Sequence, residues 1–391
     1  MQEVEKIKRI REQMPAVEQI AYLNAGTCGP MPLSCSTIIR DAVEKELGVG
    51  RASIPGYKAF ADQMEALRVR LARWIGGNAD EITITSNTTE GMNIVLWGLQ
   101  WQPGDEIITS TEEHHGLLAP LAMLHQRYGV NIRYLPFCGD PGRDTYLLKD
   151  AITPRTRMLA ISEVLYTNST LLKVRQLSDI CREKGVAVLI DGAQSMGAIP
   201  VDVQELGVDF FAAPGQKWLC GPEGMGFLYV RRDWISRLSP TFAGIFGIRN
   251  VSWFDQVSPY FVPEVGARRY QCGGFFRPLV AAFDASLQFL EEEVGLSWMW
   301  KRIANLTKRL RDMLQQIPEV TILTPLGCEA GMLTICVDGE PAVLRDQLEE
   351  KGVLIRDIPG EIPMLRVSVG FYNNEQDLQR FCDTLQSLCS Q

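Results

Sequence analysis

The sequence predicts an α/β protein: a large, doubly wound domain on a mainly parallel sheet, followed by a smaller α+β domain. Three observations predict it. Between residues 81 and 230, short apolar or β-branched runs alternate with helical patterns, the rhythm of parallel strands joined by crossover helices. One run, Val186-Ala187-Val188-Leu189-Ile190, is apolar throughout, as a strand covered on both faces must be. Beyond a helical pattern from 278 to about 294, strand patterns at 320–323, 332–337, 352–355 and 364–369 are set among helices near 342–351 and 374–388. With 391 residues and 46% hydrophobic content, the chain exceeds one ordinary domain and can bury a large core. Residues 18–265 are assigned to the large domain, and 1–17 with 266–391 to the small one.

Residues 1–20 carry Ile7, Ile10 and Met14 at helical spacing, and this helix is expected to end near Pro15. A short strand and a glycine-bearing loop follow, from Ala21 to Pro30. Helical patterns cover 34–47 and 57–75, separated by a glycine-containing linker at 48–56. The run from Glu81 to Asn93 passes from strand to helix with Thr88 and Thr89 at the junction. Free N–H groups and the positive dipole end at a helix N-terminus suit a phosphate; a threonine cap without a ligand is the other reading. A strand at 106–110 leads into Glu112-Glu113-His114-His115, where two of the three histidines stand together. Strands at 132–135 and 158–161 and helices at 146–151 and 176–184 continue the alternation, and a returning strand at 226–230 closes the large domain.

Asp191 ends the apolar strand, and Lys217 lies 217 − 191 = 26 residues on. That span holds one excursion and a second short strand, Asp209-Phe210-Phe211-Ala212-Ala213, so acid and amine can return to one sheet edge, where open α/β sheets bind ligands. Taken singly, the Asp reads first as a cap or turn former and the Lys as a surface charge. Together they suit pyridoxal phosphate (PLP), which needs a lysine amine for its Schiff base and an anion beside its pyridine nitrogen. Farther on, Arg356 and Arg366 sit in β-patterned sequence. Burying them calls for an anion, either a bound carboxylate or a structural salt bridge.

The segments Asp191-Gly192-Ala193-Gln194, Gly215-Gln216-Lys217 and Gly221-Pro222-Glu223-Gly224-Met225-Gly226 resemble class V of the fold-type I PLP enzymes, the cysteine desulfurase-like group, and the resemblance runs through nearly the whole chain. It implies that Lys217 carries PLP, that Asp191 meets the pyridine nitrogen, and that His114 stacks on the ring and helps move protons. Thr88 and Thr89 would hold the phosphate, with further cofactor contacts from Gln194 and Gln216. The backbone of Gly274, on a loop sent across a dimer interface, would reach the neighbour's phosphate. An ungapped match puts Tyr166 where the family has an asparagine beside the ring hydroxyl, with Asn168 two positions later, and either could meet that oxygen. The resemblance also makes Arg366 the ligand of the substrate α-carboxylate, Arg356 a second clamp, and Asn24, Ala25 and Gly26 a wall of the substrate site.

Cysteine desulfurases carry a nucleophilic cysteine shortly before the carboxylate-binding arginine. The segment from Arg356 to Arg366 is short and contains none. The combined pattern resembles the cyst(e)ine C-S lyase branch, which implies β-elimination of L-cystine or cysteine to pyruvate, ammonia and cysteine persulfide or sulfide. The product would be a sulfur source for iron–sulfur clusters, an iron–sulfur apoprotein the acceptor, and the enzyme a homodimer. Desulfurase, isopenicillin N epimerase and aminotransferase activities are the alternatives, with a non-catalytic α/β binding protein more distant.

A formal net charge of −8 without a basic run argues against a nucleic-acid surface. No apolar run approaches the roughly 18 to 20 residues that span a bilayer, and Met1-Gln2-Glu3-Val4-Glu5-Lys6 lacks a signal core, so a cytoplasmic protein is expected. Ten cysteines without a Cys-x-x-Cys pair, three histidines and no His-Glu-x-x-His leave no metal site to expect.

Overall fold

The computed structural model describes residues 2–249, 260–360 and 362–389. In chain order its strands are β1 (Ala21–Tyr22), β2 (Ile82–Thr85), β3 (Glu106–Ser110), β4 (Asn131–Leu135), β5 (Thr156–Ser162), β6 (Ala187–Asp191), β7 (Phe210–Pro214), β8 (Gly226–Val230), β9 (Val320–Ile322), β10 (Met332–Val337), β11 (Val353–Leu354), β12 (Arg356–Ile358) and β13 (Met364–Ser368). The helices are α1 (Gln2–Glu12), α2 (Ala16–Gln19), α3 (Leu33–Val49), α4 (Ile54–Trp74), α5 (Thr88–Gly98), α6 (His115–Tyr128), α7 (Pro141–Ala151), α8 (Val174–Lys184), α9 (Val203–Leu206), α10 (Arg232–Ile235), α11 (Arg277–Gln288), α12 (Leu296–Leu314), α13 (Pro341–Glu350) and α14 (Glu375–Cys389).

Seven strands form the large sheet in the order β2-β8-β7-β6-β5-β3-β4. All neighbours are parallel except β8, which runs against both β2 and β7. The returning strand therefore leaves the other six pointing the same way. Their C-terminal ends share one edge, and Ser162 of β5, Asp191 of β6 and Ala212 of β7 lie side by side along it. Strands β5 to β8 are almost wholly buried, which accounts for their continuous apolar character. Helix α5 packs closely on this sheet because Gly91 has no side chain: a Cβ there would stand 3.0 Å from the Ala212 Cβ and 3.2 Å from that of Leu228.

A second, antiparallel sheet has the order β12-β13-β10-β9. Its apolar face forms a core of its own with α12, α13 and α14, through Leu310, Leu344, Leu348, Phe381 and Leu385. The strand expected over 352–355 divides. Val353 and Leu354 leave this sheet to pair in parallel with β1, while Arg356 starts the edge strand β12.

Three further differences from the sequence reading have local causes. The first helix ends at Glu12, and Pro15 opens a separate short helix rather than closing the first. The helix expected from 278 to 294 is α-helical to Gln288 and then π-helical over Phe289–Val294, until Gly295 with φ 79° ends it. The 19-residue α12 was missed: its first residues, Leu296-Ser297-Trp298-Met299-Trp300, carry no side-chain cap.

Candidate active site

The C-terminal edge of the large sheet faces the Arg356–Arg366 corner of the small one across a cavity of about 190 Å³. Each wall comes from a different element. The large sheet supplies Asp191 from the end of β6, Gln216 and Lys217 from the loop after β7, and Ser162, Val164 and Tyr166 from the end of β5 and the turn beyond. Thr88 and Thr89 come from the start of α5, His114 from the segment after β3, Gly26 and Thr27 from the N-terminal loop, and Arg356 and Arg366 from β12 and β13. Residues from position 26 to position 366 thus converge on one space.

Asp191 is buried, and its Oδ1 accepts a 2.9 Å hydrogen bond from the Ala193 N–H. Burial pushes its pKa up while the nearby Lys217 amine pulls it down. Lys217 opens onto the cavity but is desolvated by its surroundings; burial lowers its pKa to about 8 despite the opposing charge of Asp191, and Arg366 and Arg356 add to the lowering. The amine makes no hydrogen bond or ion pair with any described residue. The lysine loop is held from below: Gly29 N–H donates to the Gln216 carbonyl at 2.7 Å, and a Cβ on Gly29 would strike the Lys217 carbonyl oxygen at 2.1 Å. Only glycine allows that approach.

At the start of α5 the cap is Asn87, whose side chain accepts from the Glu90 N–H at 2.8 Å. The threonine-cap reading is therefore replaced, and the Thr88 and Thr89 hydroxyls stay without partners among the described residues. His114 caps α6, its Nδ1 accepting from the Gly116 N–H at 2.9 Å, so Nε2 carries the proton of the neutral ring. Burial, with the charges of Lys217, His115 and the two arginines, lowers its pKa to about 4 and keeps it neutral. Gln194 spends both ends of its amide on structure, donating to the Gly26 carbonyl at 2.9 Å and accepting from the Trp218 indole at 3.0 Å. The Gln216 Oε1, by contrast, is buried without a partner.

Arg356 and Arg366 stand directly opposite each other on the β12–β13 ladder. Neither has a carboxylate partner among the described residues, and the Nε of each is buried and unpaired. The salt-bridge reading of these arginines is therefore not the one observed. Arg366 is almost fully buried, and burial with the facing Arg356 lowers its pKa to about 10. Two unneutralised guanidiniums on adjacent strands call for an anion between them and the large sheet.

Of the two residues that could meet the ring oxygen, Tyr166 lines the cavity and Asn168 does not; the Asn168 Oδ1 accepts from the Thr170 N–H at 3.1 Å. Gly274 is exposed and away from the cavity within one chain, nearest the ring of Phe246. Ala25 is buried in the core, and Asn24 reaches the Ile355 carbonyl at 3.4 Å, so of the loop triplet only Gly26 faces the cavity. The sequence reading passed over Ser162, Val164 and Thr27, which also line it. Ser162 had a legible signal, since it ends a buried strand as Asp191 does. Beneath it Glu113 is buried, its carboxylate accepting from the Ser162 N–H at 2.9 Å and from the Ser162 hydroxyl. Burial pushes Glu113 up to about 8.

These features fit PLP. A helix start with two free hydroxyls suits its phosphate, the desolvated Lys217 amine its aldehyde, and the buried Asp191 its ring nitrogen.

The chain matches the family described as aminotransferase class-V over residues 25–381. It is similar to a probable cysteine desulfurase of Methanothermobacter thermautotrophicus, with 27% identity over 97% of each chain. With the isopenicillin N epimerase of Streptomyces clavuligerus it shares 29% identity, covering 94% of this chain and 95% of the other. It also superposes on the cystine C-S lyase C-DES in complex with its reaction product cysteine persulfide, with a TM-score of 0.90, 28% identity and coverage of 96% of this chain and 99% of that one. A variant of C-DES with glycine covalently linked to its PLP cofactor gives the same TM-score and identity, covering 98% of that chain. With fold, site and nearly the whole length in agreement, the chain belongs to the class-V aminotransferase family.

Proposed function

We propose that this protein is a PLP-dependent C-S lyase that eliminates sulfur from L-cystine and, less readily, from cysteine. When bound at Lys217, PLP supplies a ring that accepts the electron pair left as the substrate Cα–H bond breaks. Asp191 holds the ring nitrogen, and a cation there draws the buried carboxyl back to its anionic form. Arg366, with Arg356 beside it, binds the substrate α-carboxylate. Lys217, neutral above about pH 8, takes the proton from Cα. Once Lys217 holds the Cα proton, the C–S bond would break and the β-sulfur would leave with its bonding electrons. With water added, cystine gives pyruvate, ammonia and cysteine persulfide.

One observation carries elimination over desulfuration. Among the described residues no cysteine lines the cavity and none lies between Arg356 and Arg366; the nearby Cys28 thiol donates to Glu223 and is pushed by burial up to about 11, so no thiolate stands ready to take sulfur by direct attack. A persulfide, a weaker base than the hydrosulfide that leaves from cysteine, departs more readily and needs no acceptor on the enzyme. Likeness to C-DES supports the same reading. The similarity to isopenicillin N epimerase favours a second reading, inversion at Cα by proton removal and return. Incubation with cystine and, separately, cysteine should give pyruvate and persulfide, with cystine the better substrate. Preference for cysteine would sink the disulfide reading.

The proposal extends to a homodimer, motivated by the exposure of Leu47, Ile54 and Tyr260 and by the distance of Gly274 from its own cavity. It also extends to a cytoplasmic setting, with an iron–sulfur apoprotein as sulfur acceptor. No helix among the described residues is long and apolar enough to cross a membrane. The division at 18–265 against 1–17 and 266–391 is part of the same reading.

A further inference from the structure

The turn after β5 brings the two sheets together at one side chain. Tyr166 offers one side of its ring to the Arg366 guanidinium, whose carbon lies 5.0 Å from the ring centroid. Arg366 Nη1 also donates a long, 3.4 Å hydrogen bond to the Tyr166 carbonyl, while its Nε has no partner. Arg356 repels it from across the ladder, and no described carboxylate holds it. Tyr166 is therefore the main support of a buried cation.

The ring has a second contact, this one aromatic. The His114 imidazole meets it edge-on at 4.7 Å and 74°. Its turn is pinned to the small sheet by Thr334, the residue opposite Arg366 on the neighbouring strand β10. The Thr334 hydroxyl donates to the Thr167 carbonyl at 2.8 Å and takes a 2.9 Å hydrogen bond from the Ser169 hydroxyl. Ser169 holds a left-handed φ of 59° to make that contact. A histidine carried by the large sheet and an arginine of the small one thus both contact the Tyr166 ring.

We propose that Tyr166 is a positioning residue for the substrate clamp: the ring, rather than the phenol hydroxyl, holds Arg366 where it meets the substrate carboxylate. The proposal rests on the reading of Arg366 as that ligand. The role belongs to the aromatic face, because a cation over a ring is held by the ring's electrons and a hydroxyl adds little to that attraction.

The test uses the full-length, PLP-loaded enzyme with L-cystine and with its dimethyl ester, which has no free carboxylate. Tyr166→Leu should raise the KM for cystine about tenfold, the loss of one cation–π contact in a desolvated site, while the melting temperature stays close to wild type. Tyr166→Phe should restore the KM, and the ester should not distinguish the three proteins. If Tyr166→Leu does not fold, Thr334→Val carries the test, with a smaller rise in KM confined to cystine. An unchanged KM in the leucine variant overturns the proposal. So does a phenylalanine variant as impaired as leucine, or an ester affected equally. Arg366→Ala separates the two readings: no effect on the cystine KM would remove Arg366 as the carboxylate ligand. A strong effect there beside a silent Tyr166→Leu would remove only this inference.

Discussion

At the scale of single residues, the site works by withholding water from charges. Lys217 and Asp191 are each pushed toward neutrality by burial and drawn back by the other, and the lysine settles near 8, well below its ordinary 10.5. Its amine is the nucleophile only when deprotonated, so covalent capture of PLP by the apoenzyme should accelerate with rising pH to a midpoint near 8. A midpoint near 10 would mean that the amine is solvated. Borohydride reduction of the loaded enzyme and peptide mapping should place the label on Lys217, and a label on another lysine would refute the assignment. Asp191→Asn should keep PLP bound yet lose most turnover, because the ring nitrogen loses its charged partner. Arg366→Ala should raise KM by about 30- to 1000-fold, the roughly 2 to 4 kcal/mol of a lost charge-assisted pair. Asp191, Lys217 and Arg366 were legible because a charged residue in apolar sequence must justify its burial. Tyr166 was only half legible: its position was in view, but its stacking on Arg366 joins residues 200 apart.

At the scale of elements, strand ends and helix starts place the chemistry. The β3–α6 segment carries Glu113, which ties it to the end of β5 at Ser162, and His114, which begins α6. The buried Glu113 carboxyl titrates near 8 in the fold, against an ordinary 4.5. Between those values the unfolded chain releases a proton that the folded chain keeps. Its contribution is therefore greatest below about pH 4.5 and is lost as pH rises to about 8. Glu113→Gln should flatten this part of the stability profile between pH 5 and 8, as measured by denaturant unfolding; an unaltered slope would show that Glu113 is already ionised there. Sequence periodicity located nearly every strand, because each buried strand is an apolar run bounded by turns. It did not distinguish the Asn87 cap from a threonine cap, since all three residues are good caps and only the backbone geometry chooses. Nor could it show β11 leaving the small sheet for β1, a pairing between residues over 300 positions apart.

For the whole molecule, the cavity exists only where two sheets meet, and Lys217 and the facing pair Arg356 and Arg366 come from opposite sides of it. The overall class was legible because alternating strands and helices admit few arrangements. Juxtaposition of the two sheets was not, because it depends on contacts such as Thr334 with the 165–170 turn. Sedimentation should give about twice the 43.8 kDa of one chain; a fully active monomer would overturn the composite-site reading. The most direct measurement of the central claim is the fate of the substrate carbons when the enzyme turns over uniformly ¹³C-labelled L-cystine. Elimination should give labelled pyruvate, one ammonia for each pyruvate, and labelled cysteine persulfide. Labelled alanine, or cystine inverted at Cα without pyruvate, would contradict it.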